Sequence, residues 1–158
     1  MENMTKTMLK WPLIIAAILV IARVVSEQSG APDTFNNLLS VAVFYVILAP
    51  LYFAVRIARA DIPHPYSTQL KAVALFAALA RAMVIPTYWL AYILRWPQAR
   101  FSTDQGGVVG PGVTPIQAFV IIPLLAAAAW IIASVVIGGG IGSVVIAVKR
   151  KAAVKAPA

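Results

Sequence analysis

From Leu70 to Leu94 the chain reads LKAVALFAALARAMVIPTYWLAYIL, apolar enough to cross a bilayer and yet carrying Arg81 near its middle. A guanidinium at the centre of a spanning helix costs about 2.5 to 3.5 kcal/mol, so it faces a protein interior or water and takes a partner. Whatever this chain folds into must surround that arginine.

The membrane reading extends to the whole sequence. Of its 158 residues 61% are hydrophobic and 11% charged, whereas a soluble domain carries about a quarter charged residues. Four apolar segments stand out, over residues 11–27, 38–55, 68–94 and 116–148, leaving no room for a separate soluble core. The expected fold is therefore all-α, a single integral membrane bundle of four transmembrane helices with a basic tail over 149–158. A basic start followed by a short apolar run also describes a signal peptide, but Arg23 interrupts the run and no small-residue cleavage site follows. It reads as a retained first span.

Between the spans lie turn-rich stretches. Residues 27–37, EQSGAPDTFNN, form the first loop, and Pro63 with Pro65 predict an extended connection over residues 56–67. Pro50 and Pro86 predict kinks, since a proline inside a membrane helix is tolerated where neighbours satisfy the freed carbonyl. The last segment exceeds the roughly 20 residues a bilayer needs, so either it is strongly tilted, or its beginning lies outside the membrane, or Pro123 breaks it into two pieces.

Charge sets the orientation. Lys6, Lys10, Arg56, Arg59, Lys71, Lys149, Arg150, Lys151 and Lys155 fall on one side, against Arg95 and Arg100 on the other. The positive-inside rule then places both termini in the cytoplasm, and a bacterial inner membrane is the expected location. The formal net charge of +8 fits membrane orientation and anionic lipid contact, not nucleic acid.

At ~1.5 Å per residue, Arg81 lies ~20 Å above Thr68, Arg23 ~18 Å above Trp11, and Tyr45 ~10 Å below the far surface. Arg23 and Glu27 are one turn apart and suited to an ion pair. Arg81, Tyr88 and Tyr92 share a face. These six residues predict one polar chamber open to the outside, with a net positive charge suited to a lipid head group, a quinone carbonyl or a small carboxylate. The competing reading pairs Arg81 with Glu27, or with a carbonyl near Pro86, and lets Arg23 snorkel outward.

In the last span Ala126, Trp130, Ser134, Gly138 and Gly142 recur at four-residue steps. Ser134, Gly138 and Gly142 read as a helix-packing face, because small residues let backbones approach closely in lipid. Local unwinding at the glycines is the alternative.

Much chemistry is missing. No cysteine is present, which removes disulfides, thiolate metal sites and iron–sulfur clusters. His64 is the single histidine, so one chain offers neither bis-histidine haem nor a three-histidine metal site. His64 sits in a connection with Arg56, Arg59, Asp61 and Tyr66, where the arginines suit lipid phosphate. No acidic residue lies mid-span, and no catalytic or nucleotide-binding motif occurs. No structural metal is expected, no catalytic residue is assigned, and any cofactor stays unknown.

The leading expectation is a non-catalytic membrane subunit, contacting lipid and packed as a homo-oligomer or against other membrane subunits, with a lipid or quinone-like head group in the arginine-lined chamber. The alternatives are an oligomeric channel or carrier for small anions, and an enzyme acting on a lipid-soluble substrate.

Overall fold

The computed structural model describes residues 2–60 and 62–155, with side chains over 7–60 and 62–152. Asp61, named in the basic connection, lies outside the described residues. Among those described there is no β-strand, and four helices are long and apolar enough to cross a membrane.

Helix α1 (Glu2–Gln28) is the first of these four, called spans here for their length and apolarity, and carries Pro12 within it. After a turn, α2 (Asp33–Leu38) is a short piece that stops at Leu39. The second span resumes at α3 (Val41–Val43), passes through a π-turn at Phe44–Leu48 and continues as α4 (Ala49–Arg59). Ser40 caps the stretch that follows, its Oγ accepting from the Ala42 amide at 3.3 Å, and together with α2 the segment long and apolar enough to cross a membrane runs Asp33–Arg59, enclosing the expected 38–55. Arg56 and Arg59 in the last turn of α4 complement its carbonyl end.

Helix α5 (Pro65–Leu94) is the third span and starts earlier than expected. Pro65 occupies a first-turn position, where its missing N–H is no loss, so the extended connection shrinks to the residues before it. The fourth span joins a π-turn at Gln117–Ile121, α6 (Ile122–Ala133), a second π-turn at Ser134–Gly138 and α7 (Gly139–Lys155). It is one continuous rod. Pro123 does not break it, because the carbonyl of Phe119, four residues earlier, accepts the Trp89 indole N–H at 2.9 Å.

The third span is the hub. It touches α1, α4, α6 and α7, and 44% of its apolar window is buried, against 17% for the fourth span. The end of α7 and the turn after α4 meet at one end, where Arg150 Nη2 donates to the Ile62 carbonyl at 3.0 Å. We call this the terminal end, and the opposite one, holding residues 95–115, the loop end. Towards the terminal end the core is apolar: Phe53, Ile57, Val73 and Phe76 are fully buried, and the Phe76 ring meets Phe44 and Phe53 edge-on at 5.8 and 5.6 Å.

The small-residue face of the fourth span is occupied within the chain. A Cβ at Gly138 would collide with the Val46 carbonyl oxygen and the Pro50 ring, and one at Gly142 with the Gln69 amide. Ser134 is fully buried and returns its hydroxyl to the Trp130 carbonyl at 2.9 Å. Pro50 leaves the Val46 carbonyl without its usual donor, and Gly138 packs against that carbonyl.

Candidate functional site: an arginine-lined chamber

The site sits where the second span starts, near the middle of α5, under the folded loop. That loop is held in place from within. Arg95 ends α5 in a left-handed conformation, φ 53°, with its guanidinium over the Tyr92 ring at 4.9 Å. The chain then turns back so that Phe101 is fully buried, its ring 5.2 Å from Tyr88 and 5.6 Å from Trp96. The Val109 amide donates to the Phe101 carbonyl at 2.7 Å, and Gly107 lies so close to that carbonyl that any side chain would collide. The result delivers Arg100 into the bundle.

There Arg100 meets Glu27. Its Nη2 and Nε donate to Glu27 Oε2 at 2.7 and 3.0 Å, while Arg23 Nε donates to Oε1 at 2.9 Å. Glu27 is only 5% exposed, and both its oxygens are engaged. Gln98 adds a bond to the Glu27 backbone carbonyl at 3.2 Å. Burial pulls the Arg100 guanidinium below its ordinary range, Glu27 opposes that shift, and Arg23 adds a smaller lowering.

Arg81 has no such partner. It is 6% exposed and forms no ion pair among the described residues, and its Nε is buried without a hydrogen-bond acceptor. The sequence reading that paired it with Glu27 is therefore not realised: Arg23 and Arg100 saturate that carboxylate. No hydrogen bond from Arg81 to a carbonyl near Pro86 occurs among the described residues either; there the Val84 carbonyl accepts the Thr87 hydroxyl at 2.7 Å. The polar neighbour of Arg81 is Tyr45, a fully buried phenol whose hydroxyl lies beside the guanidinium without a well-formed hydrogen bond. The π-turn that accommodates Pro50 contains Tyr45, and the Tyr45 ring meets Trp130 edge-on at 5.9 Å.

Around these groups lies a cavity of about 120 Å³ lined by Val20, Arg23, Leu39, Ser40, Val41, Ala42, Tyr45, Arg81, Val84, Tyr88, Arg100 and Trp130. A second hollow, lined by Arg23, Glu27, Asp33, Asn37, Gln98, Ala99, Arg100 and Gln105, adjoins it. Arg23 and Arg100 line both, so the Arg23–Glu27–Arg100 group forms the wall between them. The chamber lining holds three guanidiniums and no carboxylate; counting Glu27 behind the wall, a formal charge of +2 remains.

Of the residues expected from the sequence, Arg23, Tyr45, Arg81 and Tyr88 line this chamber and Glu27 braces its wall. Tyr92 does not join them. It shares the face of Arg81 but stands ~16 Å further along the helix, where its hydroxyl reaches the Val113 carbonyl at 3.4 Å and its ring packs on Phe119. At the loop end Arg100 and Tyr88, on whose ring Phe101 packs, form part of the lining. Arg100, Ser40 and Trp130 were absent from the sequence-level site. The hint for Arg100 was its setting between aromatic residues, Trp96 and Phe101, which a solvated loop has little reason to carry.

No group of three or more histidine, cysteine or acidic side chains able to hold a metal occurs among the described residues. No protein-family model, curated protein or solved structure matches the chain.

Proposed function

We propose that this chain is a non-catalytic subunit of a membrane, most simply a bacterial inner membrane, that binds the polar head group of a lipid or quinone-like molecule in the Arg81 chamber. In this reading both termini are cytoplasmic and the bundle works as a homo-oligomer or against other membrane subunits. The observation that carries it is the state of Arg81: a guanidinium 6% exposed, with a hydrogen-bonding edge unused, in a cavity whose nearest carboxylate is already taken by two other arginines. An isolated buried charge is several kcal/mol unfavourable unless something compensates it, by about the margin that makes such groups rare in apolar interiors. A bound head group supplies that compensation.

Two further features support the reading. The chamber ends in apolar packing, with Phe44, Phe53 and Phe76 stacked towards the terminal end, which suits a binding pocket better than a polar conduit through one chain. The fourth span leaves Leu124, Leu125, Ile132, Val136, Val144 and Val148 exposed, which suits lipid or a neighbouring subunit.

The test is extraction of the purified protein with organic solvent and mass spectrometry of what is released. The expected outcome is a stoichiometric lipid-soluble molecule that is lost in Arg81→Ala. Identical extracts from both proteins would overturn the proposal. Orientation is checked separately, in a chain that lacks cysteine: cysteines introduced at Gln105 and Ala152 should be modified from opposite faces of intact cells, and modification of both from outside would refute cytoplasmic termini.

A further inference from the structure

We infer that the group held in the chamber is a phosphate, an oxyanion with oxygens directed to several sides at once. This rests on the head-group reading above and narrows it to one chemistry. A quinone carbonyl is neutral and would leave the formal +2 of the site in place. A carboxylate's two coplanar oxygens match a single guanidinium fork, whereas a phosphate directs its oxygens tetrahedrally, even as the singly charged diester of a phospholipid. The donors here converge from four elements instead. Arg81 comes from α5 with its Nε free of any hydrogen-bond acceptor, and Arg23 from α1 with N–H groups left over after Glu27 and the 3.4 Å contact of its Nη2 with Asn37 Oδ1. Arg100 arrives from the loop with N–H groups likewise left over. Tyr45 offers an unpaired, fully buried hydroxyl, and Ser40, which accepts from the Ala42 amide, retains its own proton to donate.

Such an arrangement satisfies three or four oxygens of one group, as guanidiniums do when they recognise phosphate. A space of about 120 Å³ holds a phosphate and little more, so anything attached to it must leave the chamber. Val20, Leu39, Val84 and Trp130, which complete the lining, are apolar. A phospholipid head group and free inorganic phosphate present the same chemistry here, and the two sources separate by experiment.

The experiment uses delipidated full-length protein in detergent, with native mass spectrometry and thermal melting as readouts. The probes are dioleoylphosphatidylglycerol, dioleoylglycerol, inorganic phosphate, oleate and decylubiquinone. The expected result is one phosphatidylglycerol bound per chain, with dioleoylglycerol at least tenfold weaker. Arg81→Met should weaken phosphatidylglycerol by about tenfold or more, as loss of a charge-assisted contact implies. Arg81→Lys should recover part of the affinity, because a point charge keeps attraction without the fork. Tyr45→Phe should weaken binding by about threefold to tenfold.

Arg81-dependent binding of inorganic phosphate that displaces phosphatidylglycerol would support the same chemistry with the free ion as its source. Binding of oleate or decylubiquinone in place of either phosphate probe would overturn the phosphate inference and leave the head-group reading standing. No Arg81-dependent binding of any probe would overturn both. Should Arg81→Met fail to fold, Arg81→Lys carries the test alone, and wild-type affinity for phosphatidylglycerol in that variant would refute the guanidinium assignment.

Discussion

Gln69 and Arg81 are both buried polar side chains of α5, set ~18 Å apart along one helix, and the fold treats them in opposite ways. Gln69 is closed in. Its Nε2 donates to the Pro50 carbonyl at 2.9 Å, its Oε1 is buried without a donor but carries no charge, and Gly142 of the fourth span presses against the amide where any larger residue would collide. Arg81 stands at the edge of a cavity, near two carboxylate-bound arginines, with no counter-ion of its own. A neutral amide inside a seam is stabilised by one good hydrogen bond and close packing. A charge without a partner is not, and a fold with close packing elsewhere on the same helix would gain by replacing it. The difference between seam and chamber is what supports the head-group site proposed at Arg81, and it gives Gln69 a packing role.

The sharpest way to break that comparison is to disturb the wall of the chamber. Glu27→Gln leaves Arg23 and Arg100 facing each other without a carboxylate. Removing one partner from a buried ion pair costs about 3 to 5 kcal/mol, and the arginines, 15% and 18% exposed at their side chains, place the effect near the lower bound. The melting temperature of the delipidated protein should fall more for this variant than for the others considered below. A fall no larger than that of an exposed control such as Asp104→Asn would mean that the Arg100 loop does not close the chamber.

The seam is expected to be next in size. Gly142→Leu forces a side chain against the Gln69 amide, and Gly138→Leu forces one against the Val46 carbonyl and Pro50, where backbone cannot yield cheaply. Overpacking of this kind costs about 1 to 3 kcal/mol. The loss should appear as reduced thermal stability at every protein concentration, because the packing lies within one chain. A loss that vanishes at high protein concentration would instead put the glycine face between chains.

Much of this was legible in the sequence, and what was not shares a physical cause. Spans are legible because apolar length is a local property, and Arg23 with Glu27 because four residues make one turn. The interruption at Leu39 was not legible, since Leu38 and Leu39 continue the apolar pattern, while the deciding feature is the Ser40 cap. Arg100 was missed because its position depends on Phe101, Gly107 and Trp96 folding a loop back onto α5, a set of contacts with no periodicity. Tyr92 was included because helical angle was considered without rise. Continuity through Pro123 rests on Trp89 reaching the Phe119 carbonyl across the bundle, and no pattern within the fourth span encodes a donor from the third.

The smallest expected effect tests the comparison most directly. In delipidated protein the Arg81 guanidinium has no carboxylate to lose, so Arg81→Met removes a desolvated charge and replaces it with a flexible apolar chain of similar length. Substituting well-packed apolar residues for buried charges is often neutral or stabilising, and methionine adapts to irregular space. Stability without ligand should change by less than about 1 kcal/mol, or rise. With saturating phosphatidylglycerol the order should reverse, because only the wild type gains the stabilisation that accompanies binding. The double variant Arg81→Met with Glu27→Gln adds a further constraint. If Arg23 and Arg100 alone hold Glu27, the two changes should combine within about 0.5 kcal/mol of additivity, the usual behaviour of sites that share no partner. A double variant that regains the stability lost in Glu27→Gln would mean that repulsion from Arg81 dominates the wall. A large loss in ligand-free Arg81→Met would make Arg81 a structural residue like Gln69, and the contrast between chamber and seam would collapse.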